Sequence, residues 1–169
     1  MEVITIPNFY YVNPLQRIKI NRILEYNYKK NYNEQIGFNY RIDSNDKFFV
    51  NLYDKFLESC KSIFLDFELS PTNSRSCWCY RSKKNDYKHI FHNHLTTSTI
   101  NAVYYYQIEQ GDSITFLIGN EQKTHHVSKN ELIIFPNYMV HKPDKPAGKK
   151  CRYSINMEMQ TVGPVYIKS

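Results

Sequence analysis

A series of short segments after residue 76 constrains the fold more than any other feature of the chain. These segments are rich in Tyr, Val, Ile and Phe, and turn sequences such as Gln110-Gly111-Asp112 and Gly119-Asn120 separate them. Eight are found: Cys77–Ser82, Tyr87–Asn93, Ile100–Ile108, Ser113–Ile118, Lys123–Val127, Glu131–Phe135, Arg152–Gln160 and Val165–Lys168. Aromatic and β-branched residues favour strands, so many short strands with close turns predict a sandwich or a barrel.

The first 75 residues have a helical pattern instead. Asn13-Pro14 is a helix start signal, and apolar residues at Leu15, Ile18, Ile23 and Leu24 predict a helix to about Lys29. A second helix is predicted to begin near Asp46, because apolar residues then recur every three or four positions. These are Phe49, Leu52, Phe56, Cys60 and Ile63. We expect one domain, mainly β with flanking helices (α+β), in which residues 1–75 pack on a sheet formed by residues 76–169.

Composition indicates the domain count, the charge of possible partners and the cellular compartment to expect. The chain has 169 residues, a size typical of one core, and a net charge of +6 that would suit an anionic partner or be a solvated surface. Its four cysteines contain no C-x-x-C pair, and Cys77 and Cys79 are predicted to be buried thiols on one face of a strand. No signal peptide or membrane span is predicted, so we expect a soluble, cytoplasmic protein. The many Asn, Lys, Tyr and Ile residues hint at an AT-rich phage, viral or bacterial genome.

A pair of histidines, His92-Asn93-His94, indicates a metal site. Alternate residues of a strand point to one face, so both imidazoles would lie together. His141 follows the apolar segment Leu132–Phe135 and a turn, which brings it to the mouth of the sheet as a third ligand. Iron oxygenases usually bind Fe(II) with two histidines and one carboxylate on one face. A face of three histidines would carry one more positive charge and favour an anionic co-substrate, which Arg152 could hold through a bidentate fork.

The sequence leaves one alternative open for the histidine pair. One member of the pair, His92 or His94, would lie outside the inner coordination shell if water completed a site of two histidines. The other three histidines, His89, His125 and His126, are assigned structural roles, since a single histidine on a strand is more often hydrogen-bonded than metal-bound.

The segment from Phe91 to Met159 resembles the Fe(II)- and 2-oxoglutarate-dependent oxygenases, especially prolyl-hydroxylase-like members and small phage and bacterial proteins with an H-x-H pair. Three pieces carry the resemblance. The first is His92-Asn93-His94 followed by Ala102-Val103-Tyr104-Tyr105-Tyr106; the second is Leu132-Ile133-Ile134-Phe135-Pro136 leading to His141-Lys142-Pro143; the third is Arg152-Tyr153-Ser154-Ile155. His94 stands where the family usually has a carboxylate.

The resemblance implies a double-stranded β-helix (jelly roll) braced by the two N-terminal helices. It implies Fe(II) bound by His92, His94 and His141, with 2-oxoglutarate and O2 as co-substrates and no catalytic residue beyond the metal ligands. Arg152 would pair with the far carboxylate of 2-oxoglutarate, with Ser154 and Tyr105 as further donors. The expected reaction hydroxylates a substrate, peptidyl or prolyl by similarity, and releases succinate and CO2. The segments Asn31–Asn45 and Arg81–Lys88 are candidate substrate flaps.

Two rival functions fit parts of the same pattern. A cupin-like jelly roll would bind a metal or a sugar through the same histidines, but it would have no need of an inward-facing Arg152. A nucleic-acid-directed oxygenase or binding module would use the basic charge. That reading requires the lysines to gather around one mouth of the sheet. They are Lys83, Lys84, Lys88, Lys142, Lys145, Lys149 and Lys150.

Overall fold

The computed structural model describes residues 3–31, 39–42, 45–84 and 90–168, and these contain two helices and nine strands. The helices are α1 (Pro14–Asn31) and α2 (Lys47–Ile63). The strands are β1 (Ile4–Ile6), β2 (Asn39–Arg41), β3 (Cys77–Ser82), β4 (Ile100–Gln107), β5 (Ser113–Ile118), β6 (Glu121–His126), β7 (Leu132–Pro136), β8 (Val140–Pro143) and β9 (Arg152–Met159). The protein is therefore mainly β with two N-terminal helices, as the sequence predicts.

Both helices begin where the sequence predicts, and each follows a capping residue. The Asn13 side chain accepts a hydrogen bond from the Gln16 amide at 2.9 Å, and the Gln16 side chain accepts one from the Asn13 amide at 3.1 Å. The Asp46 carboxylate caps α2 by accepting from the Phe48 amide at 2.9 Å. The predicted apolar stripe of α1 is wrong at its start, since Leu15 and Ile18 are exposed and the buried face begins one turn later.

The larger sheet has six strands in the order β1-β7-β4-β9-β3-β2, and every pair is antiparallel. One face of this sheet packs against α2, which buries Phe49, Leu52 and Phe56 in the same cluster as Cys77 and Cys79. Both cysteines are buried thiols, as predicted.

The smaller sheet has three strands in the order β6-β5-β8. A second apolar cluster joins Phe116 of β5 to Tyr105 of β4 and to Ile133 and Phe135 of β7. The small sheet therefore covers the face of the large sheet that lies opposite the helices. The space between the two sheets holds the cavity described below.

Two predicted strands are wrong in their described parts. Within Tyr87–Asn93 the described residues make one isolated bridge, between His92 and His141, and within Val165–Lys168 the one bridge joins Ile167 to Phe64. Each segment therefore pairs at one residue only and makes a bridge instead of a strand. Conversely, β2 and β8 were not predicted as strands, since both are short and polar.

The candidate flaps lie largely outside the described residues. Of Asn31–Asn45, residues 32–38 and 43–44 are outside, and the described middle is the strand β2 rather than a loop. Of Arg81–Lys88, the first two residues end β3 and residues 85–88 are outside. Within the described ranges, neither helix combines the length and apolar character needed to cross a membrane.

Candidate metal centre

The segment that carries the histidine pair is fixed by backbone hydrogen bonds at the open end of the two sheets. The His92 amide donates to the His141 carbonyl at 3.0 Å, and the His141 amide donates back to the His92 carbonyl at 2.9 Å. Two residues later, the His94 amide donates to the Asn137 carbonyl at 2.9 Å. The segment therefore runs beside the turn between β7 and β8, and it is extended enough to put both imidazoles on one side.

The imidazoles of His92, His94 and His141 form one cluster. One ring nitrogen from each residue lies within 4.8 Å of those from the other two. The ring centroids are 4.4 Å apart for His92 and His141, and 5.3 Å apart for the two pairs that include His94. Three nitrogens at this spacing can all reach one metal ion.

The hydrogen bonds of the three rings set their tautomers. Nδ1 of His92 lies 3.1 Å from the Ile90 carbonyl oxygen, and Nδ1 of His141 lies 3.0 Å from the Met139 carbonyl oxygen. Nδ1 of His94 lies 2.8 Å from Oε1 of Glu158. Because carbonyl and carboxylate oxygens only accept, each Nδ1 carries the hydrogen, and Nε2 of each ring keeps the lone pair that a metal requires.

His141 is the most deeply buried of the three residues, with 4% of its surface exposed. Its ring packs against Phe135, with centroids 4.6 Å apart. Burial, with a smaller effect of the other two histidines, lowers the pKa of His141 to about 3. The imidazole is therefore neutral at physiological pH, which is the state that binds a metal.

A cavity of about 240 Å³ extends from the histidine cluster into the space between the sheets, and Arg152, Ser154 and Tyr105 line it. Tyr105 of β4 stands directly opposite Ser154 of β9. The Arg152 guanidinium is 2% exposed and donates from Nη2 to the Asp144 carbonyl at 2.7 Å, while Nη1 lies 3.7 Å from Oδ1 of Asp112. All six residues singled out from the sequence therefore face one cavity.

The rest of the cavity wall combines apolar and amide side chains. Val103, Ile114 and Phe135 supply apolar surface, and Asn101 and Asn156 supply carboxamides. The Asn101 Oδ1 accepts from the Ser98 hydroxyl at 2.8 Å, which orients the side chain. Among the described residues, the buried Nδ2 of Asn101 finds no hydrogen-bond acceptor. This nitrogen is a donor to whatever enters the cavity.

The other histidines lie apart from the cluster. Nε2 of His125 contacts the Glu131 carboxylate at 2.7 Å, and His126 is exposed at the end of β6. Neither lines the cavity, and His89 lies outside the described residues. No lysine in the described ranges lines the cavity either. Of the seven lysines, Lys88 falls outside those ranges.

Sequence reasoning missed Glu158, although β9 contains the signal. Polar and apolar residues alternate along this strand. The polar residues are Arg152, Ser154, Asn156 and Glu158, and the apolar ones are Tyr153, Ile155, Met157 and Met159. Because alternate residues of a strand point to the same side of the sheet, all four polar residues lie on one face. Glu158 therefore lies on the same face as Arg152 and Ser154, at the end of β9 nearer to the histidines.

Comparisons with known proteins give a match in structure but not in sequence. No family model matches the chain, and no curated protein matches it. Solved structures with a similar fold include a prolyl 4-hydroxylase from Phytophthora capsici, with a TM-score of 0.62 and 11% identity over 86% of this chain. This chain spans 54% of that protein, about half of its length.

Two further structures match over nearly the whole chain. A 2OG-Fe(II) oxygenase family oxidoreductase from Burkholderia pseudomallei has a TM-score of 0.60 and 10% identity, covering 94% of this chain and 84% of its own. A prolyl hydroxylase from Trichoplax adhaerens, solved with a hypoxia inducible factor peptide fragment, has a TM-score of 0.62 and 15% identity. The match covers 94% of this chain and 83% of that protein. The chain therefore has the fold of the 2-oxoglutarate- and Fe(II)-dependent oxygenases, which confirms the resemblance at the level of fold.

Proposed function

We propose that this protein is an Fe(II)- and 2-oxoglutarate-dependent oxygenase that hydroxylates a peptidyl substrate. The observation that carries the proposal is the meeting of three imidazoles and one buried guanidinium in a single cavity. The fold supports the proposal, since the solved structures that share it include prolyl hydroxylases and a 2OG-Fe(II) oxygenase family protein.

The donor set fits Fe(II). His92, His94 and His141 each offer Nε2, and imidazole is a suitable ligand for iron, zinc and nickel. Three donors on one side of an ion leave its other positions open for a co-substrate and oxygen. When bound, the iron would supply oxygen activation coupled to the oxidative decarboxylation of 2-oxoglutarate.

The guanidinium of Arg152 suits the far carboxylate of 2-oxoglutarate. A cation that is 2% exposed in a partly apolar cavity attracts an anion more strongly than a surface cation would. The contacts with Asp112 and the Asp144 carbonyl hold the guanidinium plane in place before a ligand arrives. Ser154 and Tyr105 stand beside each other on adjacent strands, and we assign both hydroxyls as further donors to the same carboxylate.

We also propose that the two sheets form a double-stranded β-helix and that the chain folds as one domain. Strands from both sheets contribute to the apolar cluster around Phe116 and Phe135, and the cavity opens at one end of that cluster. In this arrangement α1 and α2 brace the outer face of the large sheet, and the metal centre lies at the mouth.

A peptidyl substrate is the class that the neighbours favour, because one of them was solved with a peptide fragment. In the proposed reaction, one oxygen atom of O2 enters the substrate as a hydroxyl group and the other enters succinate. 2-Oxoglutarate loses CO2 in the same turnover, so atoms and electrons balance. The chain's own residues bind and orient the reactants and exclude water from the cavity.

The experiment that tests the proposal is the anaerobic addition of Fe(II) and then 2-oxoglutarate to metal-free protein, followed by visible absorption. We expect a charge-transfer band that requires both additions. Arg152→Ala should bind Fe(II) but lose the band at 2-oxoglutarate concentrations that saturate the unmodified protein. Arg81→Ala is the control, since Arg81 is a half-buried arginine that stacks on Tyr28 outside the cavity. Iron binding without any band would overturn the oxygenase proposal in favour of a cupin-like metal binder.

A further inference from the structure

The three histidines differ in what holds their Nδ1 atoms. His92 and His141 donate to backbone carbonyls, which are neutral. His94 donates to the Glu158 carboxylate, and the side chains of His94 and Glu158 are 26% and 30% exposed. Among the three rings, His94 alone is therefore hydrogen-bonded to a full negative charge that is partly shielded from water.

Glu158 is well placed for this contact by the sheet. It lies near the end of β9 and stands opposite Asn101 of β4 in the register of the large sheet. The Tyr53 hydroxyl donates to the Glu158 carbonyl at 2.7 Å, which fixes the backbone from the helix side. The carboxylate lines the same cavity as the three imidazoles. Its position is thus set by the fold and not by a flexible loop.

We propose that Glu158 is a positioning residue that supplies, through His94, the negative charge that a direct carboxylate ligand supplies in a site of two histidines and one carboxylate. This inference rests on the proposed function. Three neutral imidazoles leave the full charge of a divalent ion uncompensated in the inner shell. A carboxylate that accepts from Nδ1 makes the ring a stronger donor at Nε2 and places one negative charge in the next shell.

Residues 94 and 158 depend on each other, because the negative charge near the metal can come from either position. His94→Asp places a second carboxylate beside Glu158 and removes the hydrogen bond donor that Glu158 faces, so like charges would repel. Glu158→Gln keeps an acceptor oxygen of the same reach and removes only the charge. The double variant His94→Asp/Glu158→Gln again contains one carboxylate, now in the inner shell. A double-mutant cycle on these two residues therefore separates charge from shape.

The experiment is anaerobic calorimetry of Fe(II) binding to the metal-free full chain and to the variants Glu158→Gln, His94→Asp and His94→Asp/Glu158→Gln. We expect Glu158→Gln to bind Fe(II) about 10- to 100-fold more weakly, as is typical when an outer-shell partner of a metal-bound histidine is lost. In the His94→Asp background, Glu158→Gln should weaken Fe(II) binding less than it does in the unmodified protein, because residue 94 then supplies a carboxylate itself. The reduction potential of the bound iron should rise in Glu158→Gln, because loss of a negative charge favours the lower oxidation state.

Glu131→Gln is the matched control, since it removes the charge from a similar contact, 2.7 Å from His125, outside the cavity. It should leave both the iron affinity and the potential unchanged. Unchanged affinity and potential in Glu158→Gln, or strict additivity in the cycle, would overturn this inference while leaving the proposed function in place. Failure of the unmodified protein to bind Fe(II) would overturn the proposed function itself, so the two failures are distinguishable. Thermal unfolding of each metal-free variant shows whether it is folded.

Discussion

The peptide groups of His92 and His141 face each other in one isolated antiparallel bridge, with N–O distances of 3.0 and 2.9 Å. This bridge places the two residues side by side, and their imidazole centroids lie 4.4 Å apart. Because the backbone makes the bridge, a change of either side chain leaves it in place. Variants at these positions therefore test the chemistry of the centre more than the fold.

His141→Ala should abolish tight iron binding, because a site of three imidazoles would lose its most buried donor. We expect the Fe(II) affinity to fall by more than about 100-fold, the upper end of what losing an outer-shell partner costs. Anaerobic calorimetry measures this directly. His125→Ala is the control, since His125 pairs with Glu131 away from the cavity. An iron affinity in His141→Ala equal to that of the control would mean that the ligand set is wrong.

Arg152→Lys should weaken 2-oxoglutarate binding and leave Fe(II) binding intact. Lysine keeps the positive charge but cannot make the paired hydrogen bonds of a guanidinium, nor reach Asp112 and the Asp144 carbonyl in the same plane. Loss of one hydrogen bond to a charged group weakens binding by about 10- to 100-fold. Titration of 2-oxoglutarate into the iron-loaded protein, followed by visible absorption, gives the affinity. Equal affinities for the lysine and arginine forms would show that the paired geometry has no role.

The hydroxyl of Tyr105 should contribute less than the guanidinium. Burial raises the pKa of Tyr105, so the hydroxyl stays protonated and is able to donate at any physiological pH. Tyr105→Phe should weaken 2-oxoglutarate binding by about 10-fold, the lower end for loss of one hydrogen bond to a charged group. Tyr104→Phe is the control, since the adjacent Tyr104 hydroxyl donates to the Tyr10 carbonyl within the helix-side core. If both variants bind 2-oxoglutarate like the unmodified protein, Tyr105 lines the cavity but donates no hydrogen bond to 2-oxoglutarate.

Sequence periodicity predicted the cavity residues well wherever a strand is long. On β9, the alternation that joins Arg152 to Ser154 is sustained over eight residues, and the apolar residues between them are buried against the helices. The residues of β4 behave in the same way: Tyr105 faces the cavity, and Tyr104 and Tyr106 face the helix-side core. Period-two patterning is informative here because each face of the sheet meets a different layer.

The parts that sequence did not predict depend on contacts between distant residues. The pair His92 and His94 was expected on a regular strand, but it lies on a segment held by one bridge to His141 and by the hydrogen bond from the His94 amide to the Asn137 carbonyl. The prediction that both imidazoles point to the same side of the backbone is confirmed, because side chains alternate along any extended segment. The partnership of His94 with Glu158 spans 64 positions and depends on strand register, which no local pattern specifies.

Asp46→Ala should destabilise the whole fold through α2, the helix that packs on the large sheet. Loss of a helix cap costs about 1 kcal/mol, and for a chain of this size that lowers the midpoint of thermal unfolding by about 2–4 °C. The contact with Lys19, together with the Phe48 amide, lowers the pKa of Asp46 below its ordinary value. The stabilisation by the charged form is therefore fully present above about pH 4, the unfolded-state pKa, and is lost as the pH falls through the lower folded-state value.

Asp46→Asn separates the contribution of the helix cap from that of the carboxylate charge, because asparagine caps helices about as well as aspartate but carries no charge. Urea unfolding at a series of pH values should place Asp46→Asn close to the unmodified protein at pH 7, and the small difference between them should vanish below pH 4. The deficit of Asp46→Ala should shrink over the same range, since a protonated aspartate is a weaker acceptor for the Phe48 amide. A deficit of Asp46→Ala that stays constant from pH 7 to pH 3 would show that the carboxylate charge has no part in capping α2.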